Sequence, residues 1–322
     1  MDPIVELIES SDLAGLTKHV DRAAAAGDWE GLVDLIESCA EAVTRGKQVW
    51  AVAQFAEYRL ALQAPAHYAG AVVGDARAGI ALGPLWEVAA SRHTWAELSL
   101  HLGEPRSRAL AAHERVLRGD MVDPADVGEQ PLDVPLRLEP WEPAYPLAVY
   151  RGDGADFPEP GASPLEWVDL PPAGERLADD SLCDALMELV RPWWEESSGR
   201  AVVAAVDGGA LSAVRSLGPH RARVARVTPA EALAAMAWAG ASGGAYGRRR
   251  GTPVGRASAW WVLAEALGYG EPPDDPGWGA EADELEWWRW DPGDQIGGWA
   301  IHMAIHDPSV GTSWALSAVD MK

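Results

Sequence analysis

Helical periodicity runs from Ile4 to about Arg118 and then meets a segment that no helix can cross: between Met121 and Pro146 proline recurs six times among many carboxylates. Proline fixes φ and removes a backbone donor, so this segment reads as extended and irregular chain. The sequence therefore divides into a helical part, residues 1–119, a proline-rich acidic linker, residues 120–146, and a second part, residues 147–322. At 322 residues and 48% hydrophobic composition, both parts have the material for a core.

In the first part, apolar stripes at Leu13, Leu16 and Val20, at Leu32, Leu35 and Ile36, and at Val49, Val52, Phe55 and Leu60 each mark one face of a helix. The breaks between them are short: Gly27-Asp28, Gly46-Lys47, Ala64-Pro65, Gly83-Pro84 and Gly103-Glu104. Asp28 is a candidate N-cap, and Thr94 with Glu97 forms a capping-box pattern. Short connections make neighbours antiparallel, and the first breaks recur at a nearly constant spacing. The expectation is an all-helical hairpin array of HEAT or armadillo type.

In the second part, Leu147 to Tyr150 reads as a strand and Pro158 to Gly174 as a long irregular loop. Strand-like and helix-like runs then alternate: a helix from Leu182, strands at Ala201–Val206 and Arg223–Val227, and a helix opened by Thr228-Pro229-Ala230-Glu231. The last three runs, 284–290, 299–306 and 312–319, predict an antiparallel meander. In the middle one Trp299, Ile301, Met303 and Ile305 share one face, and Ala300, His302, Ala304 and His306 the other. The fold class expected is α+β, with the helical array followed by a mixed α/β domain that ends in the meander.

Charge is distributed unevenly. Net charge is −6 over residues 1–120, −14 over 121–196, +7 over 197–258 and −10 over 259–322, within a total of −23. Such a field repels nucleic acid and anionic membrane at long range. The basic block culminates in Arg248, Arg249 and Arg250, on a stretch broken by Gly240, Gly243, Gly244, Gly247, Gly251 and Gly255. A new helix is expected at Thr252-Pro253, with Thr252 as its cap and Arg256 and Trp260 on one face. Planar guanidinium groups grip carboxylate or phosphate bidentately. Arg248, Arg249, Arg250 and Arg256 are thus the candidate site for a small anionic ligand or an acidic protein partner; the competing reading pairs them with the protein's own carboxylates.

Other patterns point to chemistry more weakly. Gly240-Ala241-Ser242-Gly243-Gly244 matches the G-x-S-x-G nucleophile elbow, and His302 or His306 follows it in the order a hydrolase requires. Yet an elbow needs a strand before the serine, and here a helix precedes it. His302 and His306 at i, i+4 on a strand stand roughly 13 Å apart, too far for one metal ion. His67, His93, His101 and His113 are scattered along helices. No metal or cofactor motif is present, so neither is expected. Asp207-Gly208-Gly209 reads as a tight strand-to-helix turn. Eleven of the 17 tryptophans fall from Trp193 onward, as befits cores and interfaces.

Cys39 and Cys183 read as buried thiols, no basic segment followed by an apolar run opens the sequence, and no stretch is apolar enough for a membrane span. A cytoplasmic protein is expected. The combination AMAWAGASGGAYGRRRGTPVGRASAWW, with WWRWDPGDQIGGWAIHMAIHDP, SWALSAVD and the earlier GPLWEVAASRHTWAEL, resembles an uncharacterised family of high-GC bacterial proteins known only as a domain of unknown function. That resemblance implies that the two halves belong together and assigns no residue a role.

Overall fold

The computed structural model describes residues 3–74, 82–128, 130–270, 277–294 and 297–321; Glu129 of the linker and Gln295 and Ile296 of the tryptophan-rich segment lie outside them. The chain forms two compact units. One comprises Met1–Pro131 and Ala148–Asp156, the other Leu132–Leu147 and Phe157–Lys322. Residues 132–146, read from sequence as linker, are thus part of the second unit, whereas residues 148–150 of the strand expected to open the second domain belong to the first.

The first unit contains α1 (Pro3–Glu9), α2 (Leu13–Ala26), α3 (Trp29–Thr44), α4 (Trp50–Gln63), α5 (Ala66–Val72), α6 (Leu85–Ala90), α7 (Trp95–Leu98), α8 (Pro105–Leu117) and α9 (Pro124–Val127). The expected caps are in place. Gly27 ends α2 in the left-handed conformation, the Asp28 side chain accepts from Gly31 N, and Thr94 and Glu97 complete a capping box. Leu16, Val20, Leu32, Leu35, Cys39, Val52 and Leu60 fill the core between α2, α3 and α4. From Ala66 the helices shorten to seven, six and four residues, so the even spacing of the first breaks does not continue. A hairpin of β1 (Val149–Arg151) and β2 (Gly154–Asp156) completes this unit. Tyr58 Oη donates to Arg151 O at 2.6 Å, Arg118 to Ala148 O at 2.9 Å and Tyr150 Oη to the buried Glu87 at 2.5 Å.

The second unit is built on a seven-stranded antiparallel sheet with β3 (Glu166–Asp169), β4 (Glu175–Arg176), β5 (Arg200–Asp207), β6 (Arg221–Val227), β7 (Glu286–Asp291), β8 (Gly298–Asp307) and β9 (Thr312–Met321), ordered β3-β6-β7-β8-β9-β5-β4. The last three strands form the expected meander, and every pairing among the described residues is antiparallel. A strand also lies within the stretch read as irregular: Glu166–Asp169 pairs with Arg221–Val224 at one edge.

Helices α10 (Ser181–Leu189), α11 (Arg191–Glu195), α12 (Ala210–Ser216), α13 (Pro229–Ala241), α14 (Thr252–Ala266) and α15 (Trp278–Ala282) accompany the sheet. On one face Val206, Trp290, Ala304 and Ala315 pack under Ala210, Ala213 and Val214 of α12. On the other, Trp299 meets Trp193 of α11 and Trp238 of α13, and Trp314 Nε1 donates to Asp180, the cap of α10. Alternation along β8 and β9 supplies both faces, because side chains two residues apart share a side.

The hairpin of α13 and α14 is set by backbone proximity. A Cβ on Gly255 would lie 2.0 Å from Ala237 O, and one on Gly240 would lie 3.2 Å from Gly255 Cα. Only glycine allows this approach. Gly255→Ala therefore forces the helices apart and is expected to cost about 1–3 kcal/mol, read as a lower urea midpoint with an unchanged m-value.

Candidate functional site

Residues 242–251 join α13 to α14, and the loop is tied down at several points. Arg250 N and Gly251 N both donate to Ala241 O, at 2.8 and 3.3 Å, closing its end back onto α13. Ala245 N donates to the buried Asp320 of β9 at 2.5 Å, and Tyr246 N to Ser197 Oγ at 3.1 Å. Gly251 has φ 99° and is itself the N-cap residue of α14. Thr252, expected as that cap, is instead the first helical residue, because the left-handed turn at Gly251 brings the chain into the helix one residue early.

The four arginines have separate environments. Arg256 is fully buried. Its Nε and Nη2 grip Glu142 at 2.7 and 2.6 Å, while Nη1 and Nη2 donate to Pro135 O and Arg137 O at 2.8 Å each. Glu142 also accepts from Trp260 Nε1, Tyr145 Oη and Glu139 N, so its two oxygens are saturated with hydrogen bonds. With four of its five N–H groups engaged inside the protein and no exposed surface, Arg256 is a structural ion pair out of reach of a ligand at the loop; this corrects the expectation that placed it in the site. Tyr145, buried beside the Glu142 carboxylate, has its phenol held well above the ordinary value, chiefly by burial.

Arg249 also faces inward. Its guanidinium lies 4.4 Å above the Phe157 ring, and Nη2 donates to Thr252 Oγ1 at 2.9 Å. Phe157 O in turn accepts from Trp238 Nε1, and Trp238 stacks 4.7 Å from Trp299.

Arg248 is exposed, and Arg250 is half-buried. Among the described residues, neither side chain has a carboxylate within ion-pairing distance or a hydrogen-bond partner. Burial lowers the Arg250 pKa, and the Arg191 cation lowers it further; Glu188 and Glu196 act in the opposite direction from beyond contact. Arg191 is itself shared between Glu188 and Glu195. Of the four candidate arginines, Arg249 and Arg256 are thus engaged within the protein, and Arg248 and Arg250 are unpaired among the described residues.

The remaining candidates do not converge. Ser242 caps the end of α13, is 2% exposed, and its Oγ accepts from Gly244 N at 2.8 Å. Both β8 histidines pair instead with serines across the strand: His302 Nδ1 with Ser317 Oγ at 3.1 Å and His306 Nδ1 with Ser313 Oγ at 2.8 Å, each opposite its partner in the β8–β9 register. Among the described residues, neither histidine hydrogen-bonds Ser242, and no group of three His, Cys, Asp or Glu side chains is placed to hold a metal. In the helical unit the His67 and His101 rings lie 6.1 Å apart, and burial lowers the His93 pKa.

The His302 ring lies 4.6 Å from that of Trp290, and its Nε2 is buried with no partner among the described residues. Burial pushes its pKa down to about 4, with Arg200 and Arg289 adding to the depression and Asp291 and Asp294 opposing it. The residue that the sequence reading missed is Glu142. Its setting, Trp141-Glu142-Pro143-Ala144-Tyr145, flanks one carboxylate with aromatics, which marks a packed segment more than a solvated linker.

Two outcomes follow. Glu142→Gln or Arg256→Ala leaves a buried charge unpaired and is expected to cost about 3–5 kcal/mol, measured by equilibrium denaturation. His302 stays neutral in the folded chain while the unfolded chain binds a proton below about pH 6.5. Stability therefore falls with pH from there to about 4, by of order 3 kcal/mol in all. His302→Gln removes this component, so the difference in stability between wild type and variant changes across that window and is flat above pH 7.

The chain belongs to the family of unknown function DUF6183, which matches it over residues 14–321. No curated protein and no solved structure matches it.

Proposed function

From membership of a family to which no activity is assigned, we propose that this is a cytoplasmic binding protein that takes an anionic ligand, or an acidic segment of a partner protein, at the arginine loop through Arg250 and Arg248. The observation that carries the reading is the half-burial of Arg250 without an ion-pair or hydrogen-bond partner among the described residues. A guanidinium withdrawn from water next to a second cation is unfavourable until an anion meets it, and charge-assisted bidentate contacts are the ones that reward such placement. Anchoring of the loop to Ala241, Asp320 and Ser197 supports the same reading, since a donor held in place loses less entropy on binding. The two buried, unpaired cysteines suit a reducing compartment. Among the described residues, no helix is long and apolar enough to cross a membrane.

The reading assigns Arg249 and Arg256 to positioning the loop. It gives Ser242 no part in binding. Titration of the full chain with inorganic phosphate and with a short poly-glutamate peptide, followed by calorimetry, tests it. At least one probe is expected to bind, with affinity weakened roughly 10- to 100-fold by Arg250→Gln and unchanged by Ser242→Ala. Equal binding by wild type and Arg250→Gln contradicts the assignment.

A further inference from the structure

We propose that the helical unit carries a second site, a cavity of about 430 Å³ that binds a small zwitterion of amino-acid type. It is lined by Asp21 of α2, Phe55 and Arg59 of α4, Leu82, and Gly152 and Asp153 of the β1–β2 turn. That volume falls in the range of about 300–1,000 Å³ usual for small-molecule sites. None of these residues belongs to the arginine loop, so this site stands or falls separately from it.

Phe55 and Arg59 are one helical turn apart and share a face of α4. The Arg59 side chain is nine-tenths buried. Its Nη1 pairs with Asp21 and its Nε donates to Gln63 Oε1 at 2.9 Å, with the guanidinium 5.6 Å from the centre of the Phe55 ring. Nη2 has no acceptor among the described residues. This free donor belongs to a residue that lines the cavity, where an incoming carboxylate meets it with a charge-assisted hydrogen bond.

The hairpin turn supplies the opposite charge. Gly152 comes so close to the guanidinium that a Cβ there would lie 3.4 Å from Arg59 Cζ. The next residue, Asp153, stands exposed at the rim with no ion pair or hydrogen bond among the described residues. Asp21, half-exposed, is the second carboxylate. A simple anion entering here meets two aspartates, and a simple amine leaves Arg59 Nη2 unmet. A molecule bearing both groups satisfies each: its carboxylate on Arg59, its ammonium on Asp153 and Asp21.

Calorimetric titration of the full chain with glycine, β-alanine and γ-aminobutyrate scans the separation of the two charges, with methylamine and acetate as the matched halves. Saturable binding of at least one zwitterion is expected, with neither half binding detectably. Asp153→Asn, on an exposed side chain, should leave the melting temperature unchanged and weaken the zwitterion by at least about tenfold, the equivalent of one lost charged contact. Arg59→Lys, which keeps the charge facing Asp21 but loses the free guanidinium donor, should weaken it as well. The proposal is overturned if methylamine binds as tightly as the zwitterions, if Asp153→Asn binds unchanged, or if no zwitterion binds at millimolar concentration.

Discussion

A guanidinium and a carboxylate are both withdrawn from water where Arg256 meets Glu142, and the second unit is assembled around that fact. Desolvating two charges is costly, and their attraction compensates only when every remaining donor and lone pair is used. Here the carboxylate is saturated and four of the five guanidinium N–H groups are engaged. Arg256 spends its donors on Glu142 and on two backbone carbonyls, and Glu142 receives Trp260, Tyr145 and a backbone amide as well. The carbonyls at Pro135 and Arg137 belong to the same run of chain as Glu142, so the pair folds residues 132–147 into a strap on α14. Trp141 then stacks 5.1 Å from Trp260, and Trp260 lies 5.4 Å from Trp278.

That strap fixes the helix to which the arginine loop is attached. With α14 held by Arg256 and pressed against α13 at Gly240 and Gly255, the loop between the two helices has a fixed span to bridge. Its arginines then divide by geometry. Arg249 stacks back onto Phe157, while Arg248 is exposed and Arg250 is half-buried without an ion-pair partner among the described residues. The division of labour follows from position along the loop, since its three arginine side chains are chemically the same.

Much of this was legible in the sequence because it rests on local signals. Asp28, Thr94 with Glu97, and Thr228 with Glu231 cap helices where their spacing requires, and the alternation from Trp299 to His306 gives both the strand and its two faces. What the sequence hid was non-local. Proline density correctly marks residues 121–146 as non-helical, yet irregular chain need not be solvated, and 114 residues separate Glu142 from Arg256. Glu166–Asp169 was hidden for a related reason: a four-residue edge strand carries too few residues to show alternation, and its existence depends on β6. In the arginine loop the charge was readable; which guanidinium turns inward was not, because that depends on Phe157 and Glu142.

A double-mutant cycle on Arg256→Met and Glu142→Leu, followed by equilibrium denaturation, addresses the strap most directly. If the pair organises this unit, the double variant is more stable than the two single losses added together, with a coupling of about 2–3 kcal/mol. Additive losses would show that the strap and α14 are held by their tryptophans alone, contradicting the account.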